Sequence, residues 1–363
     1  MKKKIGILTF HNSPNFGALL QTLGTYETIK RLGHLPEVIN YHSPNKLHMY
    51  KLIDINLKRS LSYNFKSIIN YPLTKKKLKN SFEFQKESLM IKKEIVTTFK
   101  ELREIGRGID KLIVGSDQVW NYENTGFDKR YFLDFVPRNK KIAYAPSFGR
   151  KFIEDQYIGD YIHFLKDFAF LSVRERDGVE IIRELIQENV NQVLDPTLLL
   201  SKDDWEKTMQ PYKNFSKFLV VYMVGNKSNT LSVAKKIAQK KGLKMIVIPT
   251  GISDFFKPFK TVIPTVNEFI GLLNNASYIV TSSFHGLAFA INLNTEFTVC
   301  LTENSQKNTR QLSLLSMTGL EERVCYDSGN SLIEIDSIEW SIVNKKLEKE
   351  RKKSLDFLKK SLE

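Results

Sequence analysis

The chain has 363 residues, 42% apolar and 26% charged, a length for two domains of ordinary size and a composition that excludes disorder as the main state. Its two cysteines, Cys300 and Cys325, exclude a disulfide scaffold and fit a reducing cytoplasm. The net charge of +15 implies an anionic partner such as nucleic acid, anionic lipid or a phosphorylated substrate.

The chain opens on Met1-Lys2-Lys3-Lys4 and the apolar run Ile5 to Phe10. That run is too short for a signal core or a membrane span, so Lys4–Phe10 reads as a first strand of a soluble, unexported protein. Helical periodicity follows over Phe16–Leu32 and stops at Gly33, and Glu37–Tyr41 reads as a second strand. The rhythm then breaks between Pro44 and about Lys100, which is expected to be a basic insertion packed against the first domain, with Phe82, Phe84 and Leu89 on a helix. Lys46 to Arg107 carries 15 Lys/Arg against 6 Asp/Glu, and Asn344 to Glu363 carries 8 against 4. No nucleic-acid recognition motif accompanies these lysines, so an anionic membrane surface is the better-fitting partner than nucleic acid.

Strand patterns resume at Lys111–Ser116, Lys141–Pro146, Phe170–Arg174 and Asn191–Leu194, with a helix at Asp177–Gln187. A boundary is expected at the polar stretch Met209–Ser216. A second run follows: strands at Phe218–Val224, Lys244–Ile248, Tyr278–Thr281 and Phe297–Leu301, helices at Leu231–Lys241, Val266–Asn275 and Gly286–Asn292. The last helix, about Ile342 to Leu362, lines up Leu347, Leu355, Leu358 and Leu362 and is expected to fold back over the first domain. Alternating strands and helices predict parallel sheets. Two such runs predict an α/β protein with two Rossmann-like domains facing a cleft: residues 1–208, with an insertion at about 44–100, and residues 209–340, followed by the helix 341–363.

Ligands in such sheets sit at the carboxyl ends of the strands, which selects the residues to inspect. After the first strand, His11, Asn12, Asn15 and Gly17 lie in a loop that enters a helix, where backbone N–H groups receive anions. After Val114 come Ser116, Asp117, Gln118 and Trp120, polar groups beside an aromatic ring that suit a sugar. Ser147 follows a third strand. Arg174 ends a fourth, where a guanidinium can fork onto a carboxylate or phosphate; Asp195, before Pro196, reads as a turn residue. The sharpest signal is Thr281-Ser282-Ser283-Phe284-His285-Gly286, in which hydroxyls and a His-Gly pair open an apolar helix. Histidine is the side chain suited to proton transfer near neutrality, and Gly286 would let a ligand approach the backbone. Asn308 and Arg310 follow in a polar loop, Arg310 as a second anion clamp. No metal-ligand spacing, Gly-x-Ser-x-Gly elbow or dinucleotide fingerprint is present.

Several segments resemble the polysaccharide pyruvyl transferase family: Gly6 to Asn12 with Asn15 to Gln21, Val114 to Asn121, Ala143 to Gly149, Ser172 to Glu175, Leu194 to Thr197, Thr281 to Gly286, and the Asn308/Arg310 segment. The resemblance implies a fold like the GT-B glycosyltransferases, phosphoenolpyruvate as donor with no cofactor, and a pyruvate ketal on a saccharide of a surface polysaccharide or its lipid-linked precursor. From the residues themselves, His285 is expected to be the acid/base, assisted by Asp117 or His11, with Arg174, Arg310 and the other strand-end residues binding substrate. Many family members carry an arginine two positions before the helix-opening histidine; here that position is Ser283, leaving the anion to Arg174 and Arg310. The rival readings are a GT-B glycosyltransferase using a nucleotide sugar, with Glu303 clamping the ribose, and a non-enzymatic module docked on the membrane through Lys75, Lys76, Lys77 and Lys79.

Overall fold

The computed structural model describes residues 1–45, 52, 60–92, 94–212, 217–225, 227–327 and 336–363. Part of the expected insertion and residues 213–216 of the expected boundary thus lie outside the described residues.

Among the described residues, twelve strands form two six-stranded sheets, and every strand pairing in them is parallel. The first sheet holds β1 (Lys4–Leu8), β2 (Leu35–Val38), β3 (Lys111–Val114), β4 (Lys141–Ala143), β5 (Phe170–Val173) and β6 (Asn191–Gln192), in the order β2-β1-β3-β4-β5-β6. The second holds β7 (Phe218–Tyr222), β8 (Lys244–Val247), β9 (Lys260–Thr261), β10 (Tyr278–Thr281), β11 (Phe297–Leu301) and β12 (Val324–Tyr326), in the order β12-β11-β10-β7-β8-β9. The central strands are buried along nearly their whole length, as in Lys111-Leu-Ile-Val and Phe218-Leu-Val-Val-Tyr. Sheets covered by helices on both faces require such continuous apolar runs rather than alternation. Two lobes of this kind make the two-domain, GT-B-like α/β fold.

The lobes share one apolar core. Phe16, on the helix Phe16–Arg31 of the first lobe, stacks on Phe269 of the second at 4.3 Å between ring centres. The closing helix Trp340–Leu362 lies against the first lobe: Ser354 accepts from Leu194 N at 2.9 Å, and Arg351 Nε donates to Leu198 O at 2.8 Å.

The helix Tyr71–Glu87, within the expected insertion, differs from expectation. It bridges the lobes instead of lying on the first alone. Ser81 donates to Ser13 O at 3.2 Å, while Asn80 and Lys77 donate to Pro264 O and Pro249 O at 3.0 and 2.6 Å. Phe84 is buried between the lobes' elements and Phe82 faces solvent, so a single helix face carries the contact. Among the described residues, no helix is long and apolar enough to cross a membrane.

Candidate functional site

A cavity of about 920 Å³ opens between the lobes. The strand-end loops of both sheets reach it, as expected for ligand sites in parallel sheets.

Three loops organise its floor. Asn15 caps the helix Phe16–Arg31, its side-chain oxygen accepting from Gly17 N at 2.9 Å. Gln21, one turn on, accepts from Ser116 N at 3.2 Å and donates to the β1 exit at Phe10 O at 3.2 Å, tying the loops after β1 and β3 together. Asp117 sits at φ +67°, a left-handed conformation that aspartate tolerates better than most residues. Its carboxylate lines the cavity and accepts from Gln118 N at 2.8 Å.

The second lobe brings His285 onto the same floor. Ser283 caps the helix Phe284–Asn292, accepting from Gly286 N. His285 lines the cavity and lies against Gly17 of the first lobe, so closely that a β-carbon on Gly17 would fall 2.7 Å from the ring's Cε1 and nearer still to Nδ1. Glycine at position 17 thus makes the seat for the imidazole. His285 Nε2 lies 3.6 Å from Asp195 Oδ2 and, among the described residues, has no hydrogen-bond partner.

Beneath the floor is a buried charge cluster. Arg174, 4% exposed, donates to Asp195 Oδ2 at 2.7 Å and faces Asp117 and Glu175 at 3.8 Å each. Asp195 also accepts from Ser116 Oγ at 2.9 Å and from Thr197 N and Oγ1 at 3.0 and 2.8 Å. Burial raises the Asp195 carboxyl's pKa, but the neighbouring His285 and Arg174 outweigh it and hold the group well below the usual carboxylate range. The same balance lowers Asp117: burial raises it, and Arg174, His285 and Arg310 more than offset that.

Phe284 lies beside two guanidiniums. Its ring centre lies 4.4 Å from Arg174 Cζ and 5.9 Å from Arg310 Cζ, the geometry of cation–π contact. Arg310 lines the cavity, and with the Gln118 amide turned to face it, that oxygen accepts from Arg310 Nη2 at 2.8 Å and Nε at 3.2 Å. Burial, with the like charge of Arg174, pushes Arg310 down to about 10. A desolvated guanidinium beside another is a receptor for an anion, which would relieve both costs.

The structure sorts the residues chosen from sequence. Asp117, Gln118, His285, Arg310, Asn12, Asn15, Ser282, Ser283 and Asn308 all line the cavity. Arg174 and Ser116 do not; they belong to the buried cluster, so Arg174 orders Asp195 instead of forking directly onto a ligand. Gly17 and Gly286 serve packing: a β-carbon on Gly286 would meet Tyr222 Cδ1 at 3.0 Å, and its N–H is taken by the Ser283 cap. Ser147 lies behind the wall, donating to Glu175 Oε1 at 2.7 Å.

Two aromatic or histidine assignments are corrected. Trp120 is 1% exposed, donates to Tyr131 O at 3.0 Å and packs among Phe132, Phe148 and Phe168. It is core, and the aromatic ring that lines the first-lobe side of the cavity is Phe10. His11 is fully buried away from the cavity, its ring nitrogens 3.1 Å from Thr9 O and Asn40 Oδ1. Burial lowers its pKa, and its contacts give it a positioning role between β1 and β2. Glu303 is exposed and outside the cavity. Asp195, Glu175 and Phe284 are the site residues that sequence reasoning did not select. The Asp-Pro dipeptide after a strand was the one local signal for Asp195. Among the described residues, no three His, Cys, Asp or Glu side chains are grouped to hold a metal.

A family model described as polysaccharide pyruvyl transferase matches residues 15–304. Asn308 and Arg310 lie beyond that match, so their place in the site rests on geometry. None of the curated proteins matches the chain significantly in sequence. Among solved structures, the chain is similar to Staphylococcus aureus MnaA, solved with UDP, at 11% identity and TM-score 0.50, covering 95% of this chain and 87% of that one. It is also similar to a UDP-GlcNAc 2-epimerase from Neisseria meningitidis, solved with UDP-GlcNAc, at 11% identity and TM-score 0.47, covering 100% and 99%.

Proposed function

The chain belongs to the polysaccharide pyruvyl transferase family, and from that premise we propose that it moves the pyruvyl group of phosphoenolpyruvate onto two hydroxyls of a saccharide, closing a pyruvate ketal. The observation that carries this reading is the pairing, at one cavity, of a desolvated anion receptor with an imidazole: Arg310, with Arg174 beside the same Phe284 ring, and His285 seated on Gly17.

In this scheme Arg310 holds the donor's phosphate or carboxylate. Arg174 supports it through its field while keeping Asp195 ionised. A sugar oxygen bonds to C2 of the donor as its vinyl carbon takes a proton and becomes a methyl group. The C2–O bond to phosphate then breaks with its electron pair, and a second hydroxyl bonds to C2. One hydroxyl proton is thereby accounted for on the methyl carbon, and the other leaves with phosphate. His285 passes these protons, a role for which a positioned imidazole contributes about 10²–10⁴-fold. Asp195, 3.6 Å from Nε2, orients the ring. No step is routed through a cofactor.

The reaction is cytoplasmic, where this donor is made. The acceptor is a polysaccharide unit or its lipid-linked precursor at the inner face of the membrane, and the lysines of the Tyr71–Glu87 helix contact anionic lipid there. Lys77 is not one of those lysines, since its ammonium is held by Pro249 O.

Thermal stabilisation of the protein by each donor tests the reading. Phosphoenolpyruvate is expected to raise the melting temperature and a UDP-hexose to leave it unchanged. The opposite pattern would sink the pyruvyl donor and favour a nucleotide-sugar transferase.

A further inference from the structure

The cavity's two walls differ in chemistry. The second-lobe wall carries Lys307 and Arg310 among hydroxyls and amides. The first-lobe wall carries six amides, Asn12, Asn15, Asn45, Gln118, Asn121 and Asn124, drawn from the loops after β1, β2 and β3. Among the described residues, the charged groups on this wall are already matched. Asp117 faces Arg174 at 3.8 Å, and Glu123 is paired with Arg150.

Several of these amides are fixed at one end by the backbone. Asn15 Oδ1 takes Gly17 N at 2.9 Å, and Asn121 Oδ1 takes Glu123 N and Asn124 N at 3.0 and 3.3 Å, leaving the NH₂ ends as donors. Asn45 is held the other way round, its NH₂ donating to Thr125 O and Gly126 O at 3.0 and 3.2 Å, leaving an oxygen as acceptor. Gly149, at φ +63°, keeps this wall open, since a β-carbon there would fall 2.9 Å from both Gln118 Cδ and Asn121 Nδ2. The half-buried Phe10 ring lines the same side.

We propose that this amide wall is the acceptor subsite and that it takes an uncharged saccharide, an assignment that rests on the pyruvyl-transfer reading only for its name as acceptor. Each sugar hydroxyl both donates and accepts, and a wall of fixed donors and acceptors matches a row of them without reorganisation. Phe10 offers an apolar face to the ring C–H groups. Among the described residues this wall has no unmatched counter-ion, so a uronate or a protonated amino sugar would bring a charge to it and lose hydration without compensation. The cavity is on the scale of a drug-sized ligand, and a three-carbon phosphorylated acid fills only part of it. The remaining space faces the amides.

The test is saturation-transfer NMR on the full chain, with phosphoenolpyruvate present and absent, using methyl β-glucoside, methyl β-galactoside, methyl β-glucuronide and methyl β-glucosaminide as probes. The neutral glycosides are expected to bind and the two charged ones to bind at least about tenfold more weakly. Asn15→Asp and Asn121→Asp retain a capping oxygen, so both should fold and melt near wild type. Each replaces an NH₂ donor by a carboxylate, and each is expected to weaken the neutral glycosides by about tenfold. Three results would overturn the proposal: glucuronide or glucosaminide binding as tightly as the neutral sugars, unchanged affinity in both variants, or no neutral glycoside binding at all. Donor binding is read separately by calorimetry. A protein that binds neutral glycosides on this wall yet ignores phosphoenolpyruvate would keep the subsite and lose the pyruvyl donor.

Discussion

Gly17→Ala separates activity from stability at this site. The added methyl would lie 2.7 Å from His285 Cε1 and closer to Nδ1, where an unstrained carbon contact needs about 3.5 Å. The imidazole must therefore move by roughly 1 Å, and a misplacement of about 1 Å in a catalytic group costs on the order of 10²-fold in rate. Stability responds far less. Overpacking costs about 1–3 kcal/mol, and alanine recovers up to about 1 kcal/mol over glycine in a helix. The expected result is a melting temperature within a few degrees of wild type and phosphate release from phosphoenolpyruvate, with the native glycan as acceptor, reduced at least about 100-fold. Turnover within about threefold of wild type would refute the assignment of His285's position to catalysis.

Asp195→Asn leaves Arg174 buried with Asp117 and Glu175 at 3.8 Å as its remaining ionic partners, and is expected to cost about 3 kcal/mol at pH 7, the low end for a broken buried pair. Because the folded-state pKa of Asp195 lies below its ordinary value of 3.8, its contribution is present above about pH 4 and is lost as pH falls. The stability gap to the variant, read from denaturant curves, should narrow by about 1 kcal/mol between pH 7 and pH 3, the linkage over some 0.8 unit; an unchanged gap would contradict the buried-pair account. Lys77 behaves in the opposite sense. Burial pushes its ammonium down to about 8, so the cost of keeping it charged is full below that pH and is relieved as pH rises toward its unfolded value. Lys77→Met is expected to melt higher than wild type at pH 7, with the advantage fading by pH 10; a constant difference would show that the lobe-bridging ammonium is not strained.

The two-lobed fold was legible because periodicity is local. β10 and β11 match the predicted Tyr278–Thr281 and Phe297–Leu301, where four and five apolar or β-branched residues run together. β9 and β12, of two and three residues, are too short to carry a period. His285 and Arg310 were legible as strand-end and loop residues, but their neighbours were not. Asp195 meets Arg174 across 21 residues and His285 across 90, and nothing in an Asp-Pro turn announces such partners. Trp120 and His11 were misread for the same reason in reverse: both sit beside polar strand ends, and only distant elements (Tyr131 and Phe168 over Trp120, Asn40 beside His11) bury them. The helix Tyr71–Glu87 was seen as basic, but its bridging contacts are single hydrogen bonds to backbone carbonyls, which leave no trace in composition.

The most direct measurement follows a ¹³C label in the pyruvyl carbons of phosphoenolpyruvate into the native glycan, for wild type and His285→Ala. The account predicts labelled ketal in the glycan, one phosphate released per ketal, and loss of both in the variant. Label that never enters the glycan with wild type, or a variant that transfers it at a near-normal rate, would contradict it.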